Sequence, residues 1–229
     1  MLVFQKHDAV IGGEFTQAPM PHIKGDEVLI QVLYTSICGT DFHIYSWDAW
    51  SAGRVKPPTI MGHEFVGQII EVGHENTTHQ IGDIVVAETH IICNTCEHCL
   101  NNHGHICKNT KVIGVDTDGC FAQYIALPAQ NALIMNDIDL PLEQLSMLEP
   151  LGNAVHTINS TDVKDKIVVI NGCGPIGLMA IDVAKANKAK KVVAIDINPY
   201  RLDLAFKLGA DLILDASTED VVEKLMTYT

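Results

Sequence analysis

Gly172, Gly174 and Gly177 are spaced G-x-G-x-x-G, and their flanks restrict where such a loop can occur. Before it runs Lys166-Ile167-Val168-Val169-Ile170, the apolar, β-branched pattern of a strand buried on both faces. After it, residues 176–187 carry apolar side chains at helical spacing. The alternation continues with a strand over 191–196, a helix over 199–208, a strand over 211–214 and a helix over 218–226. Strands alternating with helices form βαβ units and a parallel sheet. In such a loop Gly172 permits the tight turn, Gly174 lets a pyrophosphate approach the backbone, and Gly177 lets helix and strand pack closely. The helix N-terminus then receives the phosphate charge. Asp196 ends the next strand, 19 residues after Gly177, where a carboxylate accepts hydrogen bonds from ribose hydroxyls. The same carboxylate repels a 2′-phosphate, so NAD is expected over NADP, with Arg201 the nearby residue that suits the phosphate.

The chain before residue 141 is of another kind. Asp26 to Tyr34 reads as a strand, as do residues 65–72, 83–88, 120–127 and 131–135, with Gly and polar clusters between them. One short helix is expected over 40–45. Residues 92–110 are too polar for core and are expected to form an excursion loop. Residues 141–159 have helical spacing interrupted by Pro150. The expected architecture is therefore α/β, a β-rich domain over 1–156 followed by a parallel-sheet domain over 157–229.

Two groups of metal-ligand residue types stand out in the first domain. Cys93, Cys96, Cys99 and Cys107 are spaced C-x2-C-x2-C-x7-C. Four thiolates close a tetrahedral structural zinc; an iron–sulfur cluster is the rival occupant. His98, His103 and His105 share this loop but are surplus to a complete four-thiolate set. The second group lies between Cys38 and Glu64 and adds Thr40, Asp41, His43 and His63. A catalytic zinc takes three protein ligands and keeps one open position. Cys38 reads as the sulfur ligand or a buried structural thiol, and His63 as the nitrogen ligand or a core histidine. The carboxylate is Glu64 or Glu149, because Glu64 follows His63 directly and adjacent strand residues face opposite ways.

Composition narrows the partners. The formal net charge is -13, which disfavours nucleic acid and anionic membrane surfaces. No apolar run approaches the roughly 18 residues of a membrane helix. The opening MLVFQKHDAVIGGEF has no signal-peptide pattern. Seven cysteines, four of them clustered, suit metal binding in a reducing compartment, so a cytoplasmic location is expected.

The motif Gly62-His63-Glu64-x-x-Gly67, the four-cysteine lobe and the Gly172–Gly177 loop together resemble the zinc-dependent medium-chain alcohol dehydrogenases over essentially the whole chain. Within that family the resemblance is to the branch acting on threonine. It is carried by Ile37-Cys38-Gly39-Thr40-Asp41-x-His43-Ile44-Tyr45-x-Trp47-Asp48-x-Trp50, Gly119-Cys120-Phe121-Ala122, Gly152-Asn153-Ala154-Val155-His156-Thr157 and Tyr200-Arg201-Leu202. The resemblance implies a GroES-like catalytic domain followed by a partial Rossmann domain. It implies a catalytic zinc on Cys38, His63 and Glu64, a structural zinc on the four-cysteine lobe, and NAD on Gly172, Gly174, Ile176, Gly177, Asp196 and Arg201. Glu149 would take the place of a further zinc ligand in other members, and Thr40 and His43 would relay the substrate proton to solvent. Asp41 would be a supporting partner, and Trp47 and Trp50 would shape the cleft. The implied substrate is L-threonine or a similar secondary alcohol, and full-length members are expected to be homo-oligomers. Sorbitol or butanediol oxidation is the alternative reaction.

A doubly wound dinucleotide fold has six strands, and only three are legible here. A chain without the second half is expected to bind zinc but to bind NAD weakly and turn over poorly. A metal-binding fragment without activity is the competing class, and a redox-sensing or metal-storage protein built on the lobe is a third.

Overall fold

The computed structural model describes residues 1–228. The chain divides into two compact units, Met1–Glu149 and Pro150–Thr229. The division falls seven residues before the position 156 expected from sequence.

The first unit contains β1 (Leu2–Lys6), β2 (Glu14–Gln17), β3 (Glu27–Thr35), α1 (Gly39–Ser46), α2 (Ala49–Arg54), β4 (Thr59–Ile60), β5 (Phe65–Val72), β6 (Ile84–Ala87), β7 (His90–Ile91), α3 (Glu97–Leu100), β8 (Lys111–Val112), β9 (Tyr124–Pro128), β10 (Ala132–Ile134) and α4 (Leu142–Leu145). Its main sheet runs β10-β6-β5-β3-β9, all antiparallel. Central β5 is buried on both faces. Phe65 and Ile69 enter one core with Val28, Ile30, Val85 and Ile125, while Val66 enters another with Val86 and Leu145. Gly67 lets β5 approach β3, since a Cβ there would lie 2.4 Å from the Ile30 methyl and 2.5 Å from Gln31 O.

The smaller sheet, β2-β1-β4, carries a fully buried lysine. Lys6 Nζ donates to the carbonyls of Val10, Gly12 and Tyr45, and lies 5.0 Å from the Trp47 ring centroid. Burial pushes its pKa down. Tyr45 O belongs to the last turn of α1, where a cation complements the helix dipole. Lys6 thereby ties α1, and the site residues on it, to β1.

The second unit holds β11 (Ile167–Asn171), α6 (Pro175–Ala186), β12 (Lys191–Asp196), α7 (Pro199–Lys207), β13 (Leu212–Asp215) and α8 (Val221–Tyr228), preceded by α5 (Leu148–Asn159), which spans the division. The sheet is parallel in the order β11-β12-β13, and Val192, Val193, Ala194 and Ile195 are buried on both of its faces. That is the doubly covered arrangement of a parallel strand, whereas β11, for which the apolar run predicts the same, leaves Val169 45% exposed. Pro150 does not interrupt α5. It sits in the first turn, where proline removes no helical hydrogen bond.

Candidate metal and dinucleotide sites

Cys38 is the N-cap of α1, and Asp41 at position N3 completes a capping box. Asp41 Oδ2 accepts from Cys38 N–H at 2.9 Å, and Oδ1 accepts from Gly62 N–H at 3.2 Å. One buried carboxylate thus joins the two chain segments that carry the candidate ligands. The Cys38 sulfur, a His63 ring nitrogen and a Glu64 carboxylate oxygen all lie within 4.8 Å of one another. Glu149 is not a member of that group, although its charge reaches His63 and His90.

The surroundings fit a cation. His63 and Glu64 are each 5% exposed, and an isolated buried carboxylate is costly unless paired or bound to metal. Burial pushes the His63 pKa down, but its hydrogen bond to Cys38 and the charges of Asp41, Cys38 and Glu149 outweigh that and raise it. His63 Nδ1 is buried without a hydrogen-bond partner, and Asp41 Oδ1 is 3.9 Å away. For Asp41, burial dominates and raises the pKa, against the pull of His63 and the two amides.

Thr40 and His43 are one turn apart on α1, so they share a face. His43 Nδ1 lies 2.5 Å from Asp48 Oδ2, and its side chain is 57% exposed. Asp48 also caps α2 through Ser51 N–H. That amide and His43 hold its carboxyl below the usual range. The Trp50 ring lies edge-on to His43 at 6.3 Å, whereas Trp47 closes α1 in a left-handed conformation and packs with Ile44 and Met61.

Glu88 and His90 form a further pair that no sequence motif marks. His90 Nδ1 is 2.8 Å from Glu88 Oε1, and the Glu88 hydrogen bond raises the His90 pKa. Their E-T-H pattern on a strand edge carries no signal until folding brings it near His63.

The four lobe cysteines form the second cluster, with every sulfur within 4.8 Å of the others. Sulfur separations are 3.5 Å for Cys96–Cys99, 3.9 Å for Cys96–Cys107 and 3.5 Å for Cys93–Cys107. A Zn–S bond of about 2.3 Å sets a tetrahedral edge of about 3.8 Å. One ion therefore fits, while an iron–sulfur cluster places its own inorganic core between the thiolates and needs a wider spread. Backbone N–H groups of Cys96 and Asn109 donate to Cys93 and Cys107 sulfurs at 3.4 and 3.3 Å. Hydrogen bonds led by the Asn109 side chain lower the Cys93 pKa to about 5, while burial and neighbouring thiols push Cys99 up to about 12. No histidine belongs to this cluster among the described residues.

In the second unit, Gly172 adopts a φ of +96°, and Gly174 caps α6 with open space where a Cβ would project. The loop therefore offers bare backbone at a helix N-terminus, as a pyrophosphate requires. A Cβ on Gly177 would lie 1.9 Å from Gly172 O. Gly177→Ala is therefore expected to lower the stability of this unit by about 3 kcal/mol or more, read as an earlier urea midpoint. An unchanged midpoint would contradict the close helix–loop packing. Asp196 Oδ2 accepts from Cys173 N–H at 2.7 Å, and Oδ1 from Ile197 and Asn198 N–H at 2.8 Å each. Arg201 Nη1 stands 3.8 Å from Oδ2. Burial raises the Asp196 pKa, but the three amides and Arg201 together bring it below the ordinary value. Three of about four acceptor positions are filled, leaving one for a ligand hydroxyl. Ile176 lies in the first turn of α6 and is 45% exposed.

Sequence comparison finds relatives for both units. Residues 24–137 match the alcohol dehydrogenase GroES-like domain, and residues 175–229 match the zinc-binding dehydrogenase domain. An L-threonine 3-dehydrogenase of Symbiobacterium thermophilum is 51% identical over all 229 residues of this chain, which span 65% of its own length. One from Caldanaerobacter subterraneus is 51% identical over 95% of this chain and 62% of its own. The crystal structure of galactitol-1-phosphate dehydrogenase from Escherichia coli superposes with a TM-score of 0.89 at 30% identity, over 99% of this chain and 64% of that one. The chain thus spans just under two thirds of the length of these relatives. With both units matched and half its residues shared along its full extent, the chain belongs to the zinc-dependent medium-chain alcohol dehydrogenase family.

Proposed function

We propose that this chain supplies the zinc-holding and dinucleotide-holding parts of an NAD-dependent dehydrogenase that oxidises the hydroxyl of L-threonine to 2-amino-3-oxobutanoate. The observation that carries this reading is the half-buried thiol of Cys38 beside the buried imidazole of His63 and carboxylate of Glu64, within one 4.8 Å group. Three protein ligands leave a fourth position for substrate. When bound there, zinc supplies a Lewis acid for the substrate hydroxyl, and NAD supplies the hydride acceptor. Cys93, Cys96, Cys99 and Cys107 would hold a second, structural zinc.

Thr40 and His43 take up the hydroxyl proton. Asp48 fixes the His43 tautomer by holding Nδ1 at 2.5 Å, and the exposed ring passes the proton to water. Glu149 adds negative charge beside His63. Gly172, Gly174, Ile176 and Gly177 would receive the pyrophosphate, and Asp196 the adenosine ribose. The Asp196 carboxylate, with Arg201 Nη1 3.8 Å away, supports NAD over NADP because it repels a 2′-phosphate.

Threonine is favoured because relatives bearing that name share 51% of residues, against 30% for the galactitol-1-phosphate enzyme. The same reading makes the protein cytoplasmic, without nucleic-acid or membrane partners, and homo-oligomeric in its family context. No helix among the described residues is long and apolar enough to cross a membrane.

The test is NADH formation by the zinc-loaded protein with L-threonine, sorbitol or 2,3-butanediol. Threonine is expected to give the highest rate, and Cys38→Ser to abolish it. A higher rate with either polyol overturns the substrate, and an unaffected Cys38→Ser variant overturns the metal site.

A further inference from the structure

Adjacent residues of an extended chain point to opposite faces, yet His63 and Glu64 place their side chains in one ligand group. The backbone must therefore be held in an unusual course between Gly62 and Glu64. Gly62 starts it with a φ of +87°. A Cβ at Gly62 would lie 2.3 Å from the Phe121 ring, and one on Gly119 would lie 2.1 Å from Gly62 O. The segment 119–121 is thus pressed against residues 60–62, with Gly119, Cys120 and Phe121 N–H groups donating to Ile60, Gly62 and Met61 carbonyls at 2.8, 2.9 and 2.8 Å.

The three carbonyls of the turn are each gripped from outside it. Gly62 O accepts from Cys120 N–H at 2.9 Å. His63 O accepts from the Thr89 hydroxyl at 3.2 Å. Glu64 O accepts from Ser36 N–H at 3.1 Å and from the Cys120 thiol at 3.7 Å. Thr89 is 2% exposed and Cys120 is fully buried. Thr89 is itself pinned: the Asn131 side chain donates to Glu88 O at 2.8 Å and His90 O at 3.1 Å, on either side of it. Thr89 O accepts from Ile113 N–H at 3.2 Å.

We infer that Thr89 and Cys120 are positioning residues that hold the Gly62–Glu64 carbonyls so that both His63 and Glu64 reach one metal ion. The carbonyl held by Thr89 belongs to the peptide between the two ligands. Released, that peptide can rotate toward ordinary extended geometry and carry Glu64 away from His63. This also gives the Gly119-Cys120-Phe121-Ala122 motif a role: it is the floor on which the ligand turn rests. The inference depends on the reading of Cys38, His63 and Glu64 as metal ligands.

The experiment compares wild type, Thr89→Val, Thr89→Ser and Cys38→Ser. Thr89→Val keeps the shape and removes the hydroxyl, while Thr89→Ser keeps the hydroxyl. Each protein is loaded with cobalt(II), whose visible absorption reports coordination geometry, and its zinc affinity is measured against a competing chelator. The cobalt–thiolate absorption of the four-cysteine lobe serves in each variant as an internal check that the unit is folded. Thr89→Val is expected to weaken zinc at the Cys38 site by about 10- to 100-fold, the range for losing a supporting partner of a ligand. Its cobalt spectrum should also shift, with the lobe signal unchanged and Thr89→Ser close to wild type. Cys38→Ser should lose metal from this site alone. A Thr89→Val protein with wild-type affinity and spectrum, beside a Cys38→Ser protein that has lost the metal, overturns the positioning role and leaves the site intact. A Cys38→Ser protein that keeps both metals at full affinity overturns the site itself. A variant that also loses the lobe signal is unfolded; the role then fails if Thr89→Ser, with the lobe intact, shows the same weakening expected of Thr89→Val.

Discussion

Cys107→Ser is expected to reduce the zinc content from two ions per chain to one and to open residues 93–107 to proteolysis. Cys107 is the one buried residue in this loop, and the loop's large apolar side chains, Leu100 and Ile106, are 71% and 51% exposed. Its helical content is α3 of four residues and a single 3-10 turn at Gly104–Ile106. With so little apolar area buried, a metal held by the four cysteines would be the main force ordering the segment. Structural zinc contributes about 10–16 kcal/mol in small zinc-binding peptides, so its loss outweighs the few hydrogen bonds that remain. Elemental analysis together with limited proteolysis checks this. Two retained zinc ions would rule out the four-thiolate assignment. Protease resistance with one zinc ion would show that the loop is held by packing instead.

Asp41→Ala is expected to destabilise the first unit by about 1–4 kcal/mol. The substitution strips the acceptor from the part-buried amide of Cys38 and the buried amide of Gly62, and each orphaned donor costs about 1–3 kcal/mol when buried. It also removes the carboxylate beside His63 Nδ1, so zinc affinity at the Cys38 site should fall about 10- to 100-fold. Asp41→Asn separates the two effects. The amide keeps a carbonyl oxygen for one backbone donor, so stability should recover in part, while the lost charge leaves zinc affinity low. Urea unfolding of the metal-free protein and chelator competition measure the two quantities independently. Full stability in Asp41→Ala would mean that the two amides find other acceptors.

The second unit was largely legible from its residues. The strand over 191–196 coincides with β12, and 166–170 lies one residue from β11. Continuous apolar runs between glycine and polar loops have few other ways to be buried. The first unit was less legible. The strand over 65–72 coincides with β5, but β1, β2, β4, β7, β8 and α2 carry no comparable pattern. β4, β7 and β8 are two residues each and form through pairing with distant segments, as Gln5 does with Ile60. A strand over 120–127 was expected, whereas β9 begins at Tyr124. Residues 119–121 instead donate to the carbonyls of Ile60, Gly62 and Met61.

The same division holds for the site. Residue types and spacing marked the four cysteines and the glycine loop with Asp196, because thiolates and bare glycines at short intervals have few other uses, while Cys38 and His63 stood out only beside those two motifs. Thr89 and Asn131 carry no signal, since each is an ordinary residue type whose partner lies far away along the chain, and Lys6, Glu88 and His90 carry none because local pairs of common residue types mark no site. The choice between Glu64 and Glu149 was likewise beyond the sequence. Only Glu64 falls in one group with Cys38 and His63, at a turn whose carbonyls accept hydrogen bonds from residues 36, 89 and 120. Local chemistry specifies which groups can bind a metal or a phosphate. Long-range packing decides which of them meet, because a ligand set is a matter of a few ångströms that only the closed chain can define.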